Sequence, residues 1–368
     1  IVIEATPATA QTAAPNASMV SFFMFAFTLT LLVQTRSTPH AGAIAMVCIL
    51  GRATAQDPHF TQFYAAPTYL SPAFAGTGVQ TRFALQARDQ WPSIPGAFMS
   101  YTFAVDHYLS ELNSGIGLLA THDRAGSGAL RTSSIGVQYA YEIQLKRKVF
   151  LRPALQFSYV DQAVDYSRLV FGDQLVRGND VSTFENFTGR NTKYTDISGG
   201  LLYFTPKTWL GVGIHHLNQP NASLLLKEAI VPMKISVHGG RRFKLTTPVI
   251  VKHPTSIIAA FNYRMQGKYD QLDIGGYFER DPVFAGLWYR GIPLLKAYEQ
   301  GYQNNDAIAV VIGTKINDWR FGYSYDITIS RLAANSGGAH EITMVYELAD
   351  KRKRKSMAKR RVVPCAKF

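Results

Sequence analysis

The sequence predicts an all-β chain: a single transmembrane antiparallel β-barrel of about fourteen strands. Three observations carry that expectation. Apolar and polar residues alternate with period two in run after run between residues 78 and 348. The runs are even in number, and the links between them alternate longer and shorter, as in a single-chain barrel. After the first fifty residues no run is apolar enough for a spanning helix. A membrane form of this chain would therefore cross as a closed barrel.

The last hairpin is the clearest case. Phe321, Tyr323, Tyr325, Ile327 and Ile329 alternate with Arg320, Gly322, Ser324, Asp326, Thr328 and Ser330. Past the turn-like stretch 333–338, Ile342, Met344, Tyr346 and Leu348 alternate with Glu341, Thr343, Val345 and Glu347. In a soluble sandwich the apolar face is core; in a barrel it faces lipid and the polar face lines the lumen. Periodicity alone leaves both open.

Residues 1–35 read as an upstream segment and 36–55 as a signal peptide. Arg36 precedes the apolar run Ala41 to Leu50, and Ala53-Thr54-Ala55 supplies a small-x-small cleavage site. A helical anchor at 20–33 is the alternative, though that run is short for a span. The mature start, 56–77, contains Pro58, Pro67 and Pro72, which argue for an extended segment with turns placed outside the wall, on the periplasmic side. The wall is expected over 78–349, with strands at 78–88, 97–106, 115–122, 135–142, 151–159, 192–204, 208–216, 233–245, 255–265, 270–280, 283–290, 306–314, 318–329 and 338–348. Pro153 inside the fifth run is unfavourable for a strand. Links after odd-numbered runs, above all 161–191, 217–232 and 291–305, are the long ones and are assigned to the extracellular side. Both termini then fall on the periplasmic side.

Charge is concentrated at the C-terminus. Of the net +13, Lys351, Arg352, Lys353, Arg354, Lys355, Lys359, Arg360, Arg361 and Lys367 contribute +9 with no acid among them. This tail, 350–368, reads as a dock for anionic periplasmic partners or as a solvated tail. An exported chain meets little nucleic acid, so none is expected as a partner. Cys365 is the one cysteine left once Cys48 leaves with the signal peptide, which excludes a disulfide framework and a cysteine zinc site. No Gly-x-Ser-x-Gly elbow occurs, and His215 and His216, adjacent on a strand, face opposite ways. No catalytic residue, metal or cofactor is expected. Inward Arg320, Asp326, Glu341 and Glu347 should form paired networks that fill the lumen, because an unpaired charge there is costly.

Short motifs in a fixed order carry a resemblance. They are Phe60-x-Gln62-Phe63, Pro67 and Ser71-Pro72-Ala73-Phe74-Ala75-Gly76 near the mature start. Gln90-Trp91, Gly211-x-Gly213-x-x-His216 with Pro220, Gly286-x-Trp288-Tyr289-Arg290 and Asn305-Asp306 follow. Gly322-Tyr323-Ser324-Tyr325-Asp326 and Ser336-Gly337-Gly338-Ala339-His340-Glu341 close the set. Together these resemble the PorP/SprF family of outer-membrane barrels, over essentially residues 56–350; Ser71 stands where the family has Asn. The resemblance implies a non-enzymatic barrel of the type IX secretion and gliding machinery. Its expected partners are outer-membrane lipid, a secreted adhesin-like cargo with a type IX C-terminal domain at the extracellular loops, and periplasmic components at the tail. A passive or substrate-specific porin is the main rival, and an outer-membrane hydrolase a second.

Overall fold

The computed structural model describes residues 57–78, 81–94, 96, 98–126, 130–178, 183–184, 191–224, 228–245, 255–292, 297–299, 302–330, 336–348 and 363–364. The upstream segment, the signal peptide and all tail residues other than Val363 and Pro364 lie outside these.

Fourteen strands form one barrel. They are β1 Thr81–Gln90, β2 Phe98–Leu109, β3 Ser114–Ala125, β4 Leu130–Tyr141, β5 Val149–Ala163, β6 Asn191–Phe204 and β7 Thr208–His215 in the first half. The second half holds β8 Lys234–Lys244, β9 Thr255–Gln266, β10 Tyr269–Arg280, β11 Val283–Gly291, β12 Asn305–Ile316, β13 Trp319–Thr328 and β14 Ala339–Leu348. Each strand pairs antiparallel with its sequence neighbours, and β1 pairs with β14 from Thr81 opposite Leu348 to Gln90 opposite Ala339, closing the sheet. All fourteen expected runs are strands.

The burial pattern decides between sandwich and barrel. On β14, Ile342 is 61% exposed while its neighbour Glu341 is fully buried; on β13, Tyr323 is 39% exposed and Asp326 3%. Apolar out and charged in is the inverse of a soluble core, and it is what a lipid-facing wall requires. The expected lumenal networks exist: Arg320 pairs with Glu347 at 3.1 Å, and Asp326 and Glu341 both pair with Arg88. Outward aromatics mark both rims. Trp319 packs on Tyr346 at 4.5 Å between centroids at one end, and Tyr325 on His340 at 4.8 Å at the other.

Pro153 is tolerated for a local reason. The β4–β5 ladder stops at Ala140 opposite Ala154 and resumes at Ile143 opposite Leu151, where Ile143–Lys146 continues β4 to the turn. Pro153 sits at that break, where no ladder N–H is needed on the β4 side.

The strand ends that flank the links 164–190, 216–233 and 292–304 lie at one mouth of the barrel, together with those flanking the other links after odd strands. The opposite mouth carries the turns after even strands and the start of β1 and end of β14. These are called below the long-loop mouth and the short-turn mouth.

One expectation is corrected. Residues 57–77 do not extend outside the wall; they fold inside it. Asp57 lies at the long-loop mouth, bonded to Gln266, His216 and Lys234. Gly76 lies at the short-turn mouth, where its N–H donates to Asp106. The segment therefore crosses the whole lumen before becoming β1, and Asp57 and Leu348 end at opposite mouths. The physical reason is satisfaction of polar groups. Inward-facing carboxylates and guanidiniums need partners, and a strand-poor, proline-broken segment has free N–H and C=O groups to give them.

Candidate functional site

The site is the lumen and the segment that fills it. Prolines set the local shape of that segment. Pro67 opens the one-turn helix α1, Pro67–Leu70, where its missing N–H costs nothing. Ser71 then caps the 3-10 turn Pro72–Phe74, its hydroxyl accepting from the Ala73 N–H at 3.3 Å. Ser performs the capping role open equally to Asn, so the departure from the family motif is conservative. Side chains along the segment are enclosed. Phe60, Gln62, Tyr64, Ala73 and Phe74 are each 2% exposed or less, which is possible only with wall on every side.

Polar anchoring is strongest at Thr61 and Gln62. The two oxygens of Glu341 accept the consecutive N–H groups of Thr61 and Gln62 at 2.7 and 2.9 Å. The Gln62 amide donates to the Glu341 carbonyl at 3.1 Å and Ser324 at 3.3 Å, and accepts from Thr343 at 2.8 Å. Its backbone carbonyl accepts from Gln86 at 2.9 Å. The Thr61 hydroxyl donates to Asp326 and accepts from Arg88 at 2.9 Å and Arg290 at 3.0 Å.

These contacts belong to one ion-pair chain around the wall. Arg88 on β1 bonds Asp326 on β13 at 2.8 Å, and Arg290 on β11 bonds the same oxygen at 2.9 Å. Arg290 also bonds Asp273 on β10 at 2.8 Å, and Arg264 on β9 bonds Asp273 at 3.1 Å. Arg88 reaches Glu341 at 3.3 Å. Arg88, Arg264 and Arg290 thus balance Asp273, Asp326 and Glu341, which is how buried charge becomes affordable.

Toward the short-turn mouth the lumen is apolar. Phe63 packs edge-on against Trp288 at 4.9 Å, Tyr64 against Trp209 at 5.5 Å, and Phe74 beside His238 at 5.1 Å. The segment's exit is then clamped by Arg152, which donates to the carbonyls of Ala73 and Ala75 and pairs with Glu142 at 2.8 Å. Below this, Arg242 donates to the Pro364 carbonyl at 3.2 Å, and Val363 is 2% exposed within the same apolar cluster. Part of the C-terminal tail therefore lies in this mouth.

At the long-loop mouth, Asp57 bonds Lys234 and His216, and His216 Nδ1 lies 3.0 Å from Asp196. Burial opposes a charge on His216, but the carboxylates of Asp57 and Asp196 prevail and raise its pKa to about 9. Burial likewise works against the Asp57 carboxylate, and Lys234 and His216 nonetheless hold its pKa well below the ordinary value. Beside this latch lies a cavity of about 90 Å³, lined by His59, Tyr69, Arg264, Asn262 and Asp306 among others.

The motif residues separate into four places. Pro72, Ala73, Phe74 and Gly76 are in the plug; Trp288, Arg290, Asp326 and Glu341 face it from the wall. Trp91, Ser336, Gly337 and Gly338 join loops at the mouth, with the Trp91 N–H donating to the Gly338 carbonyl at 2.8 Å. Tyr289, Tyr323, Tyr325 and His340 are outside the lumen. Tyr323 bonds His340 at 2.8 Å, and Tyr289 bonds Asn305. The basic tail residues and Cys365 lie outside the described residues. Sequence reasoning missed Thr61, Arg88, Arg264 and Asp273 as site members. Arg88 was readable as an inward polar position in an alternating run; what it would bond was not.

A family model described as type IX secretion system membrane protein PorP/SprF matches residues 53–346. No curated protein matches the chain. Among solved structures it is similar to the outer membrane protein Omp33 of Acinetobacter baumannii, at 8% identity, 74% of this chain and 100% of that chain, TM-score 0.40. It is also similar to the toluene transporter TodX of Pseudomonas putida, at 11% identity, 80% of this chain and 94% of that one, TM-score 0.41. The monoaromatic hydrocarbon channel CymD gives 9%, 78% and 93%, TM-score 0.41.

Proposed function

From the premise that this chain belongs to the PorP/SprF family of type IX secretion system membrane proteins, we propose that it is a non-enzymatic adaptor rather than a diffusion pore. It supports the secretion and surface attachment of a partner protein. That partner is an adhesin-like cargo with a type IX C-terminal domain, held at the long loops 161–191, 217–232 and 291–305. The short-turn mouth and the basic tail meet periplasmic components.

The observation that carries this reading is the filled lumen. The plug is bonded to β1, β11, β13 and β14 by the charge chain and clamped by Arg152 on β5. A barrel filled in this way is a rigid post with two decorated ends, suited to holding partners on both sides of a membrane. The family motifs from the two ends of the chain converge on that plug, so the resemblance and the packing bear on one feature.

The test removes residues 351–368 from the cell-expressed protein and follows cargo on the surface and in the medium, with barrel integrity checked by heat-modifiable gel mobility. Loss of displayed cargo with an intact barrel supports the reading; unchanged display sinks the tail's part in it. Purification of the membrane-extracted protein with mass spectrometry of its companions identifies cargo and machinery. A barrel that conducts in planar bilayers and brings down no partner would establish the porin instead.

A further inference from the structure

The outer wall carries an arrangement unrelated to the lumen. Arg124, near the end of β3, and Arg131, near the start of β4, are direct register partners on the outward face, and both are exposed. Side chains so placed have Cβ atoms roughly 5 Å apart, and like charges directly opposite destabilise a sheet. Among the described residues neither makes a hydrogen bond or ion pair. Their lateral neighbours at that level are Met99 on β2 and Ala163 on β5. Asp161, one step lower and one strand over from Arg131, is engaged by Lys193 at 3.8 Å. Asp89 lies two strands away from Arg124, beyond Met99.

The position of the pair along the wall gives it a meaning. Moving down both strands on the same face, the arginines are followed by His122 and Ser133, which bond each other at 2.9 Å. Then come Ala120 with Ile135, Leu118 with Val137, and Ile116 with Tyr139. Ile135, Val137 and Tyr139 are 52%, 58% and 50% exposed, so this is the lipid-facing band. Each step of two residues advances about 7 Å along a strand. The guanidiniums therefore stand just past the edge of the apolar band, at headgroup height.

We propose that Arg124 and Arg131 bind the phosphate monoester of a lipid headgroup in the leaflet at the long-loop mouth. A phosphate monoester carries about −1.5 to −2 charges near neutral pH, matching two guanidiniums, and its oxygens accept bidentate N–H pairs. A phosphodiester carries one charge and leaves the repulsion half compensated. The acyl chains of the same lipid lie against Ile135, Val137 and Tyr139. The occupant relieves a repulsion that the wall otherwise bears, so binding and barrel stability are coupled.

The test uses the full purified chain in neutral detergent. Phosphatidic acid, phosphatidylglycerol and phosphatidylcholine are added separately as mixed micelles, and inorganic phosphate alone is a further arm. Native mass spectrometry reads retained lipid, and loss of heat-modifiable mobility reads the melting temperature. The expected result is phosphatidic acid retained at least tenfold over phosphatidylcholine, with phosphatidylglycerol between. Arg124→Gln/Arg131→Gln should erase that preference. Arg131→Gln alone should melt no lower than the parent in lipid-free detergent, since it removes a repulsion. Equal retention by the double variant would overturn the proposal. So would a lower melting temperature of the single variant, which would mean the arginine serves the fold. Stabilisation by inorganic phosphate equal to that by phosphatidic acid would make it a free-phosphate site and overturn the lipid assignment.

Discussion

Arg88 on the first strand and Asp326 on the thirteenth, 238 residues apart, meet at 2.8 Å beside the Thr61 hydroxyl. That pair ties the seam of the barrel to the plug. Asp326 also takes Arg290, so one carboxylate compensates two guanidiniums.

Asp326→Ala should therefore be severe. It leaves Arg88 and Arg290 buried without their shared acceptor, a loss of about 3–5 kcal/mol when a buried pair is broken from one side. The folded, fast-migrating fraction on unheated gels should fall, and the urea midpoint with it. The exposed loop pair of Arg168 with Asp165 is the internal comparison, at 3.0 Å but open to solvent. Asp165→Ala should leave the urea midpoint where it is, because exposed pairs contribute little.

The wall was legible and the plug was not, for physical reasons visible in single residues. Ile342 beside Glu341 announces two faces, and period two is a local property that any window of the sequence displays. What Glu341 bonds is not local: its partners are the N–H groups of Thr61 and Gln62, 280 and 279 residues earlier. The prolines at 58, 67 and 72 correctly excluded a strand, but they say nothing about which side of the wall the segment lies on. The motif Phe60-x-Gln62-Phe63, which in sequence carries only a resemblance, is the plug's anchor in the structure. Two motifs at opposite ends of a chain, each with unexplained polar residues, are a signal that they touch.

Gln62 offers a milder probe of the plug than the charge chain. Its side chain spends both amide hydrogens and its oxygen on Glu341, Ser324 and Thr343. Gln62→Ala leaves those groups short by roughly 1–3 kcal/mol for each buried polar group left unpaired, while every wall strand keeps its ladder. The barrel should keep its gel mobility, and planar-bilayer recordings should show brief openings that the parent lacks. A parent that already conducts steadily would contradict the filled lumen.

Gly76 is a backbone requirement. Its φ is +70°, and a Cβ there would meet the Gly115 Cα at 2.6 Å and the His107 carbonyl at 2.8 Å. Both obstacles are backbone of neighbouring strands and cannot swing aside. Gly76→Ala combines left-handed strain of roughly 1 kcal/mol with that clash, so the plug's exit must shift. Accelerated amide exchange at 73–78, with the far wall β8–β10 unchanged, is the expected signature.

The latch at the long-loop mouth should open with base. His216 has a folded pKa of about 9 against an ordinary 6.5, so its contribution is complete below 6.5 and disappears as pH rises through 9. Asp57 has the opposite sense. Its pKa is depressed from 3.8, so its contribution is present above 3.8 and is lost as pH falls through the lower folded value. Between those limits the latch is closed. His216 has its folded pKa at about 9, so loss of the latch as pH rises toward and through that value reports His216. Amide protection at residues 57, 59 and 60, taken relative to the intrinsic base-catalysed rate, should fall across that rise in pH in the parent. In His216→Gln that protection should be lower at neutral pH and should lack the parent's fall. A variant retaining the parent's pH profile would assign the transition to another group and remove His216 from the latch.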